Sequence, residues 1–330
     1  MARQAETAGG RSGAARAHGP GGAPDRAGAL FPRCQLPEAE GRARVGVGER
    51  TMTPDMRGQE IPEAGKEALK ESVRGYWNQQ ACGTDAADSD KFSRDYFDEI
   101  EAYRYEAEPY IHSFAQFSRY HGKKVLEVGM GAGTDFLQWV RAGAEAHGID
   151  LTQESIDHVQ QRLAVYGFEA AQAQVGDAEH IPYPDDTFDL VYSWGVIHHS
   201  PSTVRALEEL VRVTKPGGEI KAMVYNRRSL HTFYRWGRYA LLRGKPWMSF
   251  AEVLYHHMES EGTKGYTLAE VEAMLQALPL EDIRCAATVN RHDLLYNKPW
   301  PARAAARLLA SLFGHDRCGF FLTFSARKRT

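Results

Sequence analysis

Four short stretches of this chain hold residue types and spacings suited to ligand chemistry. In Glu127-Val128-Gly129-Met130-Gly131-Ala132-Gly133, a carboxylate precedes three alternate glycines. Glycines so placed let a turn bring its backbone N–H groups against a ligand, and a helix beginning just after adds a partial positive charge. A dinucleotide fingerprint, Gly-x-Gly-x-x-Gly, needs glycine where Thr134 stands. Asp150 ends an apolar run, and a carboxylate at the carboxyl end of a strand can accept both hydroxyls of a ribose. Gly176-Asp177-Ala178 leads through Ile181-Pro182-Tyr183-Pro184-Asp185-Asp186 to Thr187-Phe188-Asp189. His198-His199 offers two imidazoles that titrate in a range suited to a general base. Their alternative role is structural, one capping a helix near Pro201 and the other packing beneath it. The pair has no further ligands at metal spacing, so no metal site is expected.

Alternating strand and helix patterns position these residues. Lys124–Val128 reads as a buried strand, and Phe136 to Val140 has apolar residues at helical spacing. Ala144–Asp150 is a second strand. Thr152–Tyr166 is a helix with a capping-box-like start, closed by Gly167. Strands follow at Ala171–Val175 and Phe188–Trp194. A helix from Pro201 places Val204, Leu207, Leu210 and Val211 on its apolar face, Lys215-Pro216-Gly217-Gly218 stops it, and Glu219–Tyr225 is a fifth strand. Thr267 caps an amphipathic helix. Ile283–Val289 and Gly319–Ala326 read as the last strands, with a helix around Ala304–Phe313 between them.

In this order the motifs resemble those of the class I S-adenosylmethionine (SAM)-dependent methyltransferases, in the group that includes ubiquinone and menaquinone C-methylating enzymes. Glu127-x-Gly129-x-Gly131-x-Gly133 looks like that family's first motif. Gly176-Asp177-Ala178 with the run to Phe188-Asp189 looks like its adenine-binding stretch, and Leu210–Gly218 like its Lys-Pro-Gly-Gly turn. The resemblance covers residues 123 to about 226. It implies an α/β, Rossmann-like fold: a seven-stranded, mostly parallel sheet with helices on both faces, an antiparallel last strand, and helical caps at both ends. SAM is then the implied methyl donor. Glu127 would organise its methionine-amine end, and Gly129, Gly131 and Gly133 would let the backbone approach it. Asp150 would hold the ribose, and Leu151 would lie against the adenine. Asp177 would accept from the adenine amino group while the Ala178 N–H donates to the ring. Ser193 and Trp194 would line the methyl-transfer region. Asp135, at the start of the first helix, also suits the helix dipole.

Composition sets outer limits. A hydrophobic share of 43% and a charged share of 25% are ordinary for a globular protein. A net charge of −3 argues against a nucleic-acid-coating protein. Four dispersed cysteines fit a reducing compartment, and a cytoplasmic location is expected. Residues 1–62 are rich in Gly, Ala, Arg and Pro and read as a disordered extension. A secretory signal lacks its apolar region there, and scarce Ser with several acids argues against a transit peptide. Gly48-Glu49 is compatible with a ribosome-binding sequence, so translation is expected to begin at Met52 or Met56. Residues 63–120 form an N-terminal helical cap in which Tyr76 and Trp77 are candidate lid residues. Residues 121–226 form the SAM-binding core, and 227–330 complete the domain with inserted helices. Within 227–245, Arg228, His231, Arg235 and Arg238 share one helical face, opposite Leu230, Phe233, Tyr234 and Gly237. That helix is either a lid with its arginines in water or a peripheral contact with an anionic membrane.

The expected function is SAM-dependent methyl transfer to a small-molecule acceptor, quinone-like, phenolic or lipid-linked, by in-line displacement from the sulfonium. A SAM-binding regulatory protein without turnover is the alternative. An NAD-dependent oxidoreductase is disfavoured by Thr134 and by Gly176-Asp177-Ala178. Oligomeric state, acceptor and the atom methylated are left open.

Overall fold

The computed structural model describes residues 63–79 and 81–330. The expected disordered extension and the translation start at Met52 or Met56 lie outside these residues. Helices α1 (Glu63–Gln79), α2 (Arg94–Ala107) and α3 (Ile111–Ala115) precede the sheet. The alternating core is β1 (Lys124–Val128), α4 (Thr134–Arg141), β2 (Glu145–Asp150), α5 (Gln153–Tyr166), β3 (Gln172–Val175), β4 (Phe188–Trp194), α6 (Thr203–Val213) and β5 (Thr214–Tyr225). The chain then adds α7 (Leu230–Tyr239), α8 (Phe250–His257), α9 (Leu268–Gln276), β6 (Leu280–Thr288), α10 (Trp300–Phe313) and β7 (Phe321–Lys328).

One seven-stranded sheet runs in the order β3-β2-β1-β4-β5-β7-β6. β1 to β5 are parallel, and β7 is antiparallel to both of its neighbours. This is the expected Rossmann-like sheet with its antiparallel last strand. Val125, Leu126 and Val128 of β1 and Leu190 to Tyr192 of β4 are buried, as central parallel strands covered on both faces must be. The strand order reverses between β1 and β4, so a crevice opens at their carboxyl ends.

Local signals set most boundaries. The Thr152 side chain accepts from the Ser155 N–H to start α5, and Gly167 ends it in left-handed geometry. The first residue of α6 is Thr203, and its cap is Ser202, whose side chain accepts from the Arg205 N–H. Val204 of α6 points to solvent, while Ala206, Leu207, Leu210 and Val211 are buried. Lys215-Pro216-Gly217-Gly218 does not separate α6 from β5. β5 begins at Thr214, and this tetrapeptide is absorbed as an irregularity between the pairings Phe188↔Thr214 and Leu190↔Glu219. A bulge accommodates a proline that a regular central strand would exclude.

β5, β6 and β7 carry two long excursions. Residues 227–265 leave after β5, and their root is closed by the Asn226↔Tyr266 bridge. Residues 289–320 separate β6 from β7 and are closed by the pairing Thr288↔Phe321. Among the described residues, no helix is long and apolar enough to cross a membrane.

Candidate active site

Site residues gather where β1, β2 and β4 end. The three glycines after β1 all have positive φ, 83° at Gly129, 52° at Gly131 and 73° at Gly133. A Cβ on Gly129 would stand 2.1 Å from the Val196 side chain, so the loop closes tightly there. At Gly131 the nearest atom to such a Cβ is Cys82 Cβ at 3.6 Å, an ordinary van der Waals contact. Arg162 of α5, fully buried, donates from Nε to the Ala132 carbonyl at 2.9 Å and braces the loop from below.

Asp150 ends β2 beside this loop. Its Oδ2 accepts from the Gly131 N–H at 3.0 Å, and Oδ1 accepts from Thr152 N and Oγ1 at 3.0 and 2.9 Å. Burial raises its pKa, against the pull of these donors. Leu151 is half-buried next to it. Glu127 is buried under the loop and accepts from Trp139 Nε1 at 2.9 Å. Desolvation, with the nearby Asp135 charge, pushes its carboxyl well above the usual range.

Asp135 has a larger role than helix-dipole compensation. It accepts from Arg104 Nε and Nη2 at 3.2 and 2.7 Å, from Tyr105 OH at 3.0 Å and from Tyr192 OH at 3.0 Å. Arg104 also lies 3.6 Å from Glu108, which accepts from Trp194 Nε1 at 2.8 Å. The end of α2 is thus bolted to the start of α4 and the carboxyl end of β4. Burial acts to raise the Asp135 pKa, but the Arg104 charge and four donors outweigh it, and the group is held below the usual aspartate range. Its stabilising effect is therefore complete above that range and lost as pH falls through its lowered value. Asp135→Ala should destabilise the fold by about 3 kcal/mol, because Arg104 loses its main partner. Urea denaturation at neutral pH checks this, and a loss within 0.5 kcal/mol (about the scatter of a neutral surface change) would show the bolt to be dispensable.

Asp177 meets a partner that its motif does not announce. Lys70 of α1 donates from Nζ to Asp177 Oδ2 at 2.7 Å and lies 3.5 Å from Glu179. Asp177 Oδ1 accepts from the Glu179 N–H at 2.9 Å. Burial alone would raise the Asp177 pKa, and the Lys70 bond and charge lower it instead. Ala178 packs partly buried on the core next to it. Ser193 is fully buried, with its Oγ lacking a hydrogen-bond partner among the described residues.

The histidine pair follows β4, where Gly195 at φ 76° turns the chain out of the strand. The two rings then part. His198 is fully buried against Tyr225, centroids 4.0 Å apart, with neither nitrogen hydrogen-bonded. Desolvation, then the neighbouring His199 and Lys264, holds it neutral, well below the usual imidazole range. His198 is therefore a packing residue, contrary to its reading as a base. His199 Nδ1 lies 2.9 Å from Ser260 Oγ and 3.1 Å from Thr263 Oγ1. Its Nε2 stands 3.4 Å from Glu259 Oε2, too poorly aligned for a full hydrogen bond. Glu259 Oε2 accepts from Tyr225 OH at 2.9 Å. Burial would raise the Glu259 pKa, but His199 and Tyr225 keep it below the ordinary glutamate range. Neither histidine caps α6. Of the two lid candidates, Trp77 meets His199 edge-on at 5.6 Å, and Tyr76 packs on Trp77 at 4.9 Å. Trp194, Tyr110, Phe321 and Tyr225 add an aromatic wall.

Sequence patterns missed Lys70, Arg104, Glu108, Tyr225 and Glu259. Only Arg104 and Glu108 left a local trace, an i, i+4 ion pair on an aromatic helix.

The sheet order 3-2-1-4-5-7-6, with a carboxylate-tipped glycine loop at the switch point, is that of the Rossmann-like methyltransferase fold. Residues 126–221 match the family model described as a methyltransferase domain, and the chain carries a domain of that family. Fatty-acid O-methyltransferase of Mycolicibacterium smegmatis is 33% identical over 146 residues, 44% of this chain and 48% of that protein. Phthiotriol/phenolphthiotriol dimycocerosates methyltransferase 1 of Mycobacterium ulcerans is 37% identical over 109 residues, 32% of this chain and 39% of that protein. The chain thus matches less than half the length of either relative. Among solved structures, the SAM complex of Haemonchus contortus phosphoethanolamine N-methyltransferase 2 is similar at 17% identity and a TM-score of 0.47, covering 74% of this chain and 61% of that one.

Proposed function

We propose that the chain is a SAM-dependent methyltransferase acting on a small, largely apolar acceptor with an ionisable O–H, of phenolic, quinol or fatty-acid type. The observation that carries this reading is the His199–Glu259–Tyr225 cluster, set beyond β4 on the same side of the sheet as the glycine loop. The residues present fit SAM. Gly131, at positive φ, keeps the loop backbone free of a side chain, Asp150 supplies a carboxylate for a ribose, and the orphaned Ser193 Oγ awaits a polar partner. Asp177, already bonded to Lys70, keeps free lone pairs with which to accept from an adenine amino group.

SAM, when bound, supplies an electrophilic methyl on sulfur. The chain's own residues exclude water and orient the acceptor. The Glu259 carboxylate facing Nε2 favours the proton of neutral His199 on that nitrogen, which leaves Nδ1, beside the Ser260 and Thr263 hydroxyls, as the basic atom. It takes the acceptor's proton, and Glu259 faces the resulting imidazolium. Trp77 covers the ring from α1, and the aromatic wall suits an apolar or aromatic acceptor. Two methyltransferases of similar sequence are named for a fatty acid and for phthiotriol lipids, which favours a lipid-like acceptor here. Methyl-tritiated SAM should label an organic-extractable compound when the protein is added to a cell extract. SAM binding without label in any fraction would instead make the chain a binding protein.

A further inference from the structure

We propose that α10 is a membrane-surface helix that docks this protein on anionic lipid. The basic, aromatic character of 227–245 suggested a helix face bearing Arg228, His231, Arg235 and Arg238, but the structure turns much of that face inward. Arg235 donates to His257 O, and His231 Nε2 lies 3.0 Å from Arg235 Nε. Phe233, assigned to the core, is 53% exposed. A stronger candidate lies in the second excursion. α10 presents Trp300 at 76% exposure, Leu308 at 62%, Leu312 at 70% and Phe313 at 61%. Pro301, Ala304 and Ala305 are exposed on the same helix. At positions 301, 304, 305, 308 and 312 the spacing is that of one continuous helical stripe. The opposite side, Ala306 and Ala310, is buried, with Leu230 of α7 in the same cluster. An apolar stripe of this size in water marks a docking face.

Charge identifies the occupant. α10 has Arg303 and Arg307 and no acid, and residues 227–249 of the neighbouring excursion have six Lys or Arg and no acid. Several of these cations lie over rings, Arg238 and Arg243 over Tyr239 at 5.4 and 5.3 Å and Arg303 over Tyr296 at 5.3 Å, and Lys298, just before α10, lies over Tyr234 at 5.7 Å. Apolar side chains and tryptophan bordered by cations match the boundary between acyl chains and anionic headgroups. A second copy of this chain complements the surface poorly, since a two-fold contact sets Arg303 and Arg307 against their own kind. Residues 1–62 are also unsuitable, being arginine-rich and poor in large apolar side chains. Leu241, Leu242 and Trp247, all exposed beyond α7, offer further insertion points on the same cap.

The test is co-sedimentation of the full chain with phosphatidylcholine vesicles, with and without phosphatidylglycerol. Binding is expected only to the phosphatidylglycerol-containing vesicles, and it should fall as salt rises. A surface cation contributes about fivefold to such partitioning. Arg303→Glu with Arg307→Glu should therefore weaken it by at least about 25-fold. The triple variant Trp300→Ser, Leu308→Ser, Leu312→Ser should abolish it. Unchanged melting temperature and SAM affinity in both variants would show that the fold survives. Failure of the wild type to sediment overturns the proposal, as does binding that both variants retain. A wild-type dimer in analytical ultracentrifugation that the triple variant dissociates would assign the stripe to a second copy and also overturn it.

Discussion

Asp150→Ala is expected to weaken SAM binding by at least about a hundredfold in titration calorimetry. In the proposed site the carboxylate receives two ribose hydroxyls, and hydrogen bonds to a charged group contribute about 1.5–3 kcal/mol each. The substitution also strands the Gly131 N–H and both Thr152 donors, which Asp150 now satisfies. Asp150→Asn separates the two effects. Its amide oxygen can still brace the loop, but the charge is gone, so an intermediate affinity is expected with a near-normal melting temperature. Burial raises the Asp150 pKa, so protonation begins at a higher pH than for an exposed aspartate. SAM affinity should accordingly start to fall, on acidification, before ordinary surface aspartates titrate. Equal affinity of the wild type and the alanine variant would remove Asp150 from the site.

His199→Ala should lower kcat by about 10²–10⁴, the usual worth of a positioned general base, while SAM affinity stays within about twofold. Glu259→Gln should lower kcat less, about tenfold. The reason is that an amide no longer stabilises the charged imidazolium. His198→Phe separates the neighbouring ring from this role: it fills a buried slot against Tyr225 and should leave the pH profile intact. Turnover by His199→Ala at the wild-type rate would mean that the acceptor needs no base.

The strands, the glycine loop and Asp150 were legible because their physics is local. A β-branched run, a positive φ and a cap each involve a few adjacent residues, so β4 was read correctly over Phe188–Trp194. Boundaries failed where tertiary pairing overrode a local signal: β5 spans Lys215-Pro216-Gly217-Gly218 because Thr214 before them and Glu219 after them both pair with β4. Lys70 was invisible because its partner is 107 residues away, and Glu259 because His199 must first be turned out of the strand by Gly195. Asp135 was visible as a residue but not as a hub, since all four of its donors come from other elements. The face of α7 was misread for a related reason. Periodicity identifies two sides of a helix, and only the neighbours α8 and α10 decide which is inside.

Both excursions close at a single point. Asn226 donates its own N–H to the Phe320 carbonyl and its side-chain amide to the carbonyls of Arg317 and Gly319, while the next N–H, from Arg227, reaches Tyr266 O. The start of one insertion and both its end and the end of the other are therefore pinned by one asparagine and its neighbour. Such an arrangement is a socket: the sequences between the pins can be exchanged or lengthened while the sheet, and the nucleoside end of the site, keep their register. Glu259 rides on one insertion and α10 on the other, so the proposed acceptor and membrane-docking elements can be varied separately from the proposed methyl-donor site. Grafting residues 227–265 from a methyltransferase of different specificity onto these pins is the corresponding engineering route.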